Sequence, residues 1–208
     1  MPTLRISRVT HATTAEGPGL RSAVWFQGCS IRCAGCINPQ LFSARGGEDG
    51  DLQAIVEEAV RAGSEGLTLL GGEPFDQPGA GADLAELAQS RGLGVMSFSG
   101  FAHENLRVRD ADTIRMLAAT DLLIDGPYDA ASPETTRSLV GSTNQRFIHL
   151  TDRYAGFIPE AQPNRVDVRI GPDGVINIAG FLTTKKLLDL TETVGARRVR
   201  RPRTQETR

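Results

Sequence analysis

Cys29, Cys33 and Cys36 are the only cysteines of the chain, and they share one loop in the spacing C-x3-C-x2-C. Thiolates in such a cluster point to metal chemistry. A closed zinc site or an ordinary electron-transfer cluster takes four protein ligands. Three thiolates instead hold three irons of a 4Fe–4S cube and leave the fourth iron open to a substrate or cofactor. Three other readings compete. The cysteines could be unrelated core thiols, since free cysteine is often simply buried. They could hold zinc with His11, His103 or His149 as fourth ligand, although none stands at the short spacing of a zinc knuckle. A disulfide is disfavoured by the odd count, the short spacings and the lack of a signal peptide.

The residues around the cysteines narrow the reading. C-S-I-R-C-A-G-C resembles the cluster motif of the radical S-adenosylmethionine (SAM) enzymes. The flanking G-P-G-L-R and C-I-N-P-Q-L-F resemble the activating enzymes of glycyl-radical proteins, most closely those of the anaerobic ribonucleoside-triphosphate reductases. The resemblance covers roughly residues 8 to 148. It implies an incomplete (β/α) barrel, a 4Fe–4S cluster on Cys29, Cys33 and Cys36, and SAM bound at the open iron. Reductive cleavage of SAM would give a 5′-deoxyadenosyl radical, which takes a hydrogen from a glycine of a partner such as an anaerobic ribonucleotide reductase. A flavodoxin or ferredoxin would supply the electron.

The resemblance also implies roles for other residues. Gly71-Gly72-Glu73 matches the family's G-G-E motif. The glycines let backbone approach a ligand closely, and the Glu73 carboxylate can accept from the SAM ammonium. The competing reading is a glycine turn with an exposed Glu. Ser99 stands where it could bond the ribose or the SAM carboxylate, or simply make a turn. Asp125 matches a position near the SAM carboxylate, or caps a turn. Asn38 could donate to a cluster sulfur or cap the next segment. Gly17, Gly19 and Arg21 either fix the entry of the cluster strand or form a docking surface for the partner. Asn144 and Arg146, in G-S-T-N-Q-R, are binding candidates. The competing functions are a radical SAM enzyme acting on a small molecule or peptide, and a non-catalytic zinc-binding module.

These residues need a scaffold. Two hundred and eight residues suffice for one domain with an appendage. Apolar content of 39% and charged content of 23% suit a globular protein. A net charge of −2 gives no bulk case for nucleic acid or a membrane surface. No apolar run reaches the ~20 residues of a membrane span, and the cytoplasm, where thiols stay reduced, is the expected compartment.

Strands are expected at Leu4 to Val9, Ser22 to Gln27, Gly66 to Leu70, Leu93 to Phe98 and Asp121 to Ile124. Helices are expected at Leu52 to Ala62 behind the N-cap Asp51, at Ala82 to Arg91, around His103 to Leu106, and at Asp112 to Ala119. Four strand–helix alternations predict a parallel α/β sheet. The cysteine loop, G-G-E-P, S-G-F and D-G-P-Y each follow a strand, where ligands bind in such folds. Residues 1–150 form the expected core and 151–196 an extension: a β-hairpin of Arg165 to Ile170 with Val175 to Ile178, then a short helix capped by Thr183. The tail 197–208 carries six arginines and is expected to be disordered.

Overall fold

A computed structural model describes residues 3–171, 174 and 176–181. Nine strands and four α-helices follow in the order β1 (Leu4–Thr13), β2 (Arg21–Phe26), β3 (Glu48–Gly50), α1 (Leu52–Arg61), β4 (Gly66–Gly71), α2 (Pro78–Ser90), β5 (Gly94–Phe98), α3 (His103–Leu106), α4 (Ala111–Ala118), β6 (Leu122–Asp125), β7 (Arg146–His149), β8 (Val166–Ile170) and β9 (Ile176–Gly180). Seven strands make one sheet in the order β3-β1-β2-β4-β5-β6-β7. β2, β4, β5 and β6 run parallel. β1, β3 and β7 add antiparallel edges, so the sheet is mixed rather than wholly parallel.

All residues of β2 are buried, as expected for a strand covered on both faces. Alternate side chains divide between two layers. Val24, Phe26, Leu67, Leu69, Val95 and Leu123 pack against α1, α2 and α4. Ala23, Trp25, Met96, Leu122 and Ile124 face the other way, toward Leu41, Leu139, Val140 and Ala179. Aspartates start two of the helices as N-caps: Asp51 accepts from Ala54 N at 3.0 Å and Asp110 from Thr113 N at 2.8 Å.

Three expectations change. β1 continues through the Thr/Ala stretch to Thr13, because pairing with β2 outweighs local propensity, and the ladder slips at Ile6/Arg8 and at Thr10/Thr13. α2 starts at Pro78, where proline fits the first turn, rather than at Ala82. β7 starts at Arg146, the last residue of G-S-T-N-Q-R, where the sequence predicts no strand. β8 and β9 pair antiparallel from Val166↔Gly180 to Ile170↔Ile176. The expected helix after Thr183 and the arginine tail lie outside the described residues, among which no helix is long and apolar enough to cross a membrane.

Candidate metal and cofactor site

The cysteine loop leaves the C-terminal end of β2. Gly28 turns with φ +99° and donates to Leu41 O at 3.0 Å, and Cys29 N donates to Phe42 O at 3.3 Å. Asp76 fixes the next residue: its two oxygens accept from Ser30 N at 2.6 Å and Ser30 Oγ at 2.8 Å. The three thiols are free, partly exposed and gathered around one cavity of about 180 Å³. Gly71, Gly72, Glu73, Ser99 and Asn38 line the same cavity. Partial burial raises the thiol pKa of Cys29 and Cys36, which favours the neutral form. Backbone N–H groups oppose this, from Arg32 and Ile31 at Cys29 and from Asn38 at Cys36, the last donating to Sγ at 3.4 Å.

The donor set fits a three-thiolate cluster. Amide N–H groups already point at two of the sulfurs, the arrangement that tunes iron–sulfur centres. The histidines do not complete a zinc site here. His11 bonds Ser22 Oγ at 2.8 Å, and neither it, His103 nor His149 lines the cavity. Among the described residues no three His, Cys, Asp or Glu side chains converge on a single ion.

Glu73 is a buried junction rather than an exposed turn residue, only 1% accessible. Its Oε1 accepts from Phe75 N at 3.0 Å and Ser99 Oγ at 2.9 Å, and its Oε2 from Gly100 N at 2.8 Å. Burial pushes its pKa up to about 7 against those donors. A carboxylate has about four acceptor positions, so one remains at Oε2. Ser99 Oγ is tied to Glu73 and also accepts from Phe101 N at 3.0 Å. The two glycines before Glu73 serve the protein's own backbone. A Cβ on Gly72 would lie 2.0 Å from Gly28 O, and one on Gly71, at φ +108°, 2.7 Å from Trp25 Cα. Gly72 N and Glu73 N donate to Phe26 O and Gly28 O at 2.9 and 2.8 Å, which ties this turn to the cysteine loop.

The remaining expected residues fall elsewhere. Arg21 is fully buried and cannot be a surface contact for a partner. Its five N–H donors go to Thr68 Oγ1, Pro18 O, Tyr154 Oη, Leu67 O and Gly94 O. Gly17 and Gly19 have positive φ, lie against the Arg21 and Glu65 side chains, and line a cavity of about 200 Å³ separate from the cysteines. Asp125 is buried outside the cavity. It accepts from His103 N at 2.7 Å and pairs with Arg146 at 2.5 Å, so neither group points at the cysteines. Arg146 also binds Glu104 at 2.8 Å. Asn144 donates to Pro127 O at 2.7 Å.

Sequence reasoning missed other residues of the site. Tyr128, Gln145 and Phe181 line the cysteine cavity. Gln145 holds its loop by accepting from Gly141 N at 2.8 Å. A second cavity of about 450 Å³ shares Ile37, Asn38, Leu70 and Phe181 with the first. Into it faces Glu16, 2% accessible, with Oε1 accepting from Gly180 N at 2.5 Å and Oε2 without a partner among the described residues. Its place directly before Gly17 was the one available signal.

A family model described as a 4Fe-4S single cluster domain matches residues 15–148. The chain belongs to this family. The matched span runs from the turn before β2 into β7 and so includes the whole cysteine cavity except Phe181. The chain is 28% identical over 157 residues to the anaerobic ribonucleoside-triphosphate reductase-activating protein of Enterobacteria phage T4, covering 72% of this chain and 96% of that one. It is 28% identical over 127 residues to the pyruvate formate-lyase-activating enzyme of Clostridium pasteurianum (58% of this chain, 50% of that one). Against the pyruvate formate-lyase 1-activating enzyme of Escherichia coli K12 it is 28% identical over 149 residues (68% and 58%). The chain thus spans about half the length of the pyruvate formate-lyase-activating enzymes it matches. The family and these relatives agree with the radical SAM resemblance of the cysteine motif.

Proposed function

We propose that this chain is a radical SAM activating enzyme whose substrate is a glycine in a protein such as an anaerobic ribonucleotide reductase. The observation that carries the reading is one cavity, at the C-terminal ends of four parallel strands, where three thiols meet a buried carboxylate with one open acceptor position. When bound, a 4Fe–4S cluster and SAM supply reductive sulfonium cleavage to methionine and the 5′-deoxyadenosyl radical, which takes the glycine hydrogen.

The chain's own residues then bind and orient. Cys29, Cys33 and Cys36 are the ligands of three irons. Amides of Ile31, Arg32 and Asn38 offset thiolate charge. Glu73 Oε2 receives an ammonium hydrogen of SAM, and Ser99 and Gly100 hold that carboxylate in place. Gly71 and Gly72 keep this turn against the cysteine loop. Phe42, Phe98, Tyr128 and Phe181 make the walls that exclude water. The partner's chain enters through the second cavity, where the unpaired Glu16 Oε2 offers an acceptor to an incoming N–H. Asp125 and Arg146 form a strut behind the site.

The finer architecture belongs to the same proposal. We read the open sheet, with β3 and β7 at its ends, as an incomplete (β/α) barrel. Residues 1–150 are its core, 151–196 an extension and 197–208 a tail. A flavodoxin or ferredoxin donates the electron, and the cytoplasm is the compartment. The test is anaerobic. The protein is reconstituted with iron and sulfide, reduced and given SAM, and 5′-deoxyadenosine is quantified. Wild type should give product and Cys33→Ala none. Full product from the Cys33 variant would sink the mechanism.

A further inference from the structure

The G-S-T-N-Q-R segment, residues 141–146, reaches back to the D-G-P-Y turn after β6. Gly141 lies against the Tyr128 ring. Ser142 Oγ accepts from Asp129 N at 3.1 Å, Asn144 donates to Pro127 O at 2.7 Å, and Gln145 Nε2 donates to Gly126 O at 3.4 Å. Arg146 pairs with Asp125 at 2.5 Å. Five of its six residues thus fasten the run from Asp125 to Asp129. We infer that this fastening makes Tyr128 a positioning residue for the metal loop, holding the turn that carries Cys33 and Cys36 at the cavity. The inference rests on the function proposed above and gives the motif a part in it.

Two observations carry it. The first is what the cysteine turn lacks. Cys29 is anchored by Phe42 O and Ser30 by Asp76. Residues 31–37 make no hydrogen bond outside the loop among the described residues. Cys36 N donates to Cys33 O at 3.2 Å, and Cys36 Sγ accepts from Asn38 N, but both bonds stay within the loop. The second observation is where Tyr128 stands. Opposite edges of its half-buried ring face two glycines. A Cβ on Gly35, between Cys33 and Cys36, would lie 3.4 Å from Tyr128 Cε1, and one on Gly141 would lie 3.0 Å from Cδ2 and Cε2. The ring is therefore packed between the cysteine turn and the G-S-T-N-Q-R loop. These contacts are made by ring carbons, so a phenylalanine supplies them as well. Groups that orient metal ligands from outside typically contribute about 10–100-fold to metal affinity. Here the turn has no hydrogen bond to do this, and the fastened ring takes that part.

The test uses the full chain, first metal-free and titrated with Co²⁺ alone, whose thiolate absorption band reports the cysteines. Tyr128→Ala should weaken the cobalt Kd about tenfold. The double variant S142A/N144A cuts two of the ties at side chains that do not line the cavity, and should shift the Kd in the same direction. Tyr128→Phe keeps the ring and should bind cobalt like wild type. Leu117→Ala, in the core side of α4, should lower the denaturation midpoint and leave the cobalt Kd in place, which separates positioning from general loss of stability. After reconstitution with iron and sulfide, the electron paramagnetic resonance signal of the reduced centre should change shape in Tyr128→Ala and keep it in Tyr128→Phe. A cobalt Kd unmoved by Tyr128→Ala, or moved equally by Leu117→Ala, would overturn the positioning role and leave the function standing. A wild type that binds cobalt but builds no iron–sulfur centre would overturn the function and leave the positioning role, read from cobalt alone, in place.

Discussion

Two buried glutamates line the two neighbouring cavities, and they differ in how well they are satisfied. Glu73 has three donors and keeps one acceptor position free. In Glu73→Gln the amide oxygen can serve Phe75 N and Ser99 Oγ while Gly100 N faces the amide NH2, and the charge that would bind an ammonium is gone. Iron content should stay at the wild-type level while SAM binding weakens at least about tenfold, or ~1.4 kcal/mol, by equilibrium dialysis. Glu73→Ala should in addition lose about 2–3 kcal/mol of stability, because Phe75 N, Ser99 Oγ and Gly100 N are left without an acceptor. Glu16 has one donor and one unpaired oxygen, and burial pushes its carboxyl up to about 7 from the ordinary 4.5. The sign follows from which state holds the proton. Below pH 4.5 both folded and unfolded chains are protonated, so this group adds no pH dependence. Between 4.5 and 7 the unfolded chain releases its proton first, and stability falls as pH rises, by about 3 kcal/mol in all. Glu73 contributes a fall of the same sign over the same window. Denaturation of the metal-free protein should therefore show stability decreasing from pH 4.5 to 7, with Glu16→Gln removing about half of the decrease. An unchanged slope in the variant would mean that Glu16 is solvated.

At the scale of elements, the site depends on what is laid against the first strand. Arg169 donates to His11 O and Ala12 O at 2.6 Å each, and Arg8 to Ile178 O at 2.8 Å. Asp167 Oδ2 accepts from Thr13 Oγ1 at 2.5 Å and from Thr14 N at 3.3 Å. The β8–β9 ribbon is thereby clipped to β1 and to the segment before Gly17. Asp167→Ala breaks the clip nearest Glu16. It should speed hydrogen exchange of the β9 amides about tenfold while those of β4 and β5 stay protected, since the ribbon lies outside the main sheet. Equal loosening of ribbon and sheet would show one cooperative unit instead. Part of this arrangement was legible beforehand. The apolar runs of β2, β4, β5 and β6 and the capping aspartates Asp51 and Asp110 are local signals, and they place the cysteine loop and G-G-E at one rim. The second half of β1 and all of β7 were not legible: Thr10–Thr13 and Arg146–His149 become strands only because β2 and β6 offer edges to pair with. The closeness of Gly72 to Gly28 O likewise depends on strand register rather than on neighbours in sequence.

Across the whole molecule, Arg21 shows why a motif residue beside a site need not belong to its surface. It lies at the start of β2, and its guanidinium joins the Gly17–Gly19 turn through Pro18 O, the next strand through Leu67 O and Thr68 Oγ1, β5 through Gly94 O and the later segment through Tyr154 Oη. The Tyr154 ring also lies 5.2 Å from its guanidinium carbon. No carboxylate pairs with it directly among the described residues, so five hydrogen bonds to neutral oxygens, rather than a salt bridge, offset the burial of its charge. Such a network fails as a unit, because each acceptor was positioned for a donor that water cannot replace in a closed core. Arg21→Ala should therefore cost about 3–5 kcal/mol in chemical denaturation of the metal-free protein. Arg21→Lys, with a point charge and three donors for five acceptors, should cost less but still more than about 1 kcal/mol. A surface arginine that touched a partner would behave in the opposite way: either substitution would leave the denaturation midpoint in place and lower only the rate of partner activation. Stability measured on the isolated chain distinguishes the two. A midpoint unmoved by Arg21→Ala would show that these five hydrogen bonds add nothing net to the stability of the fold.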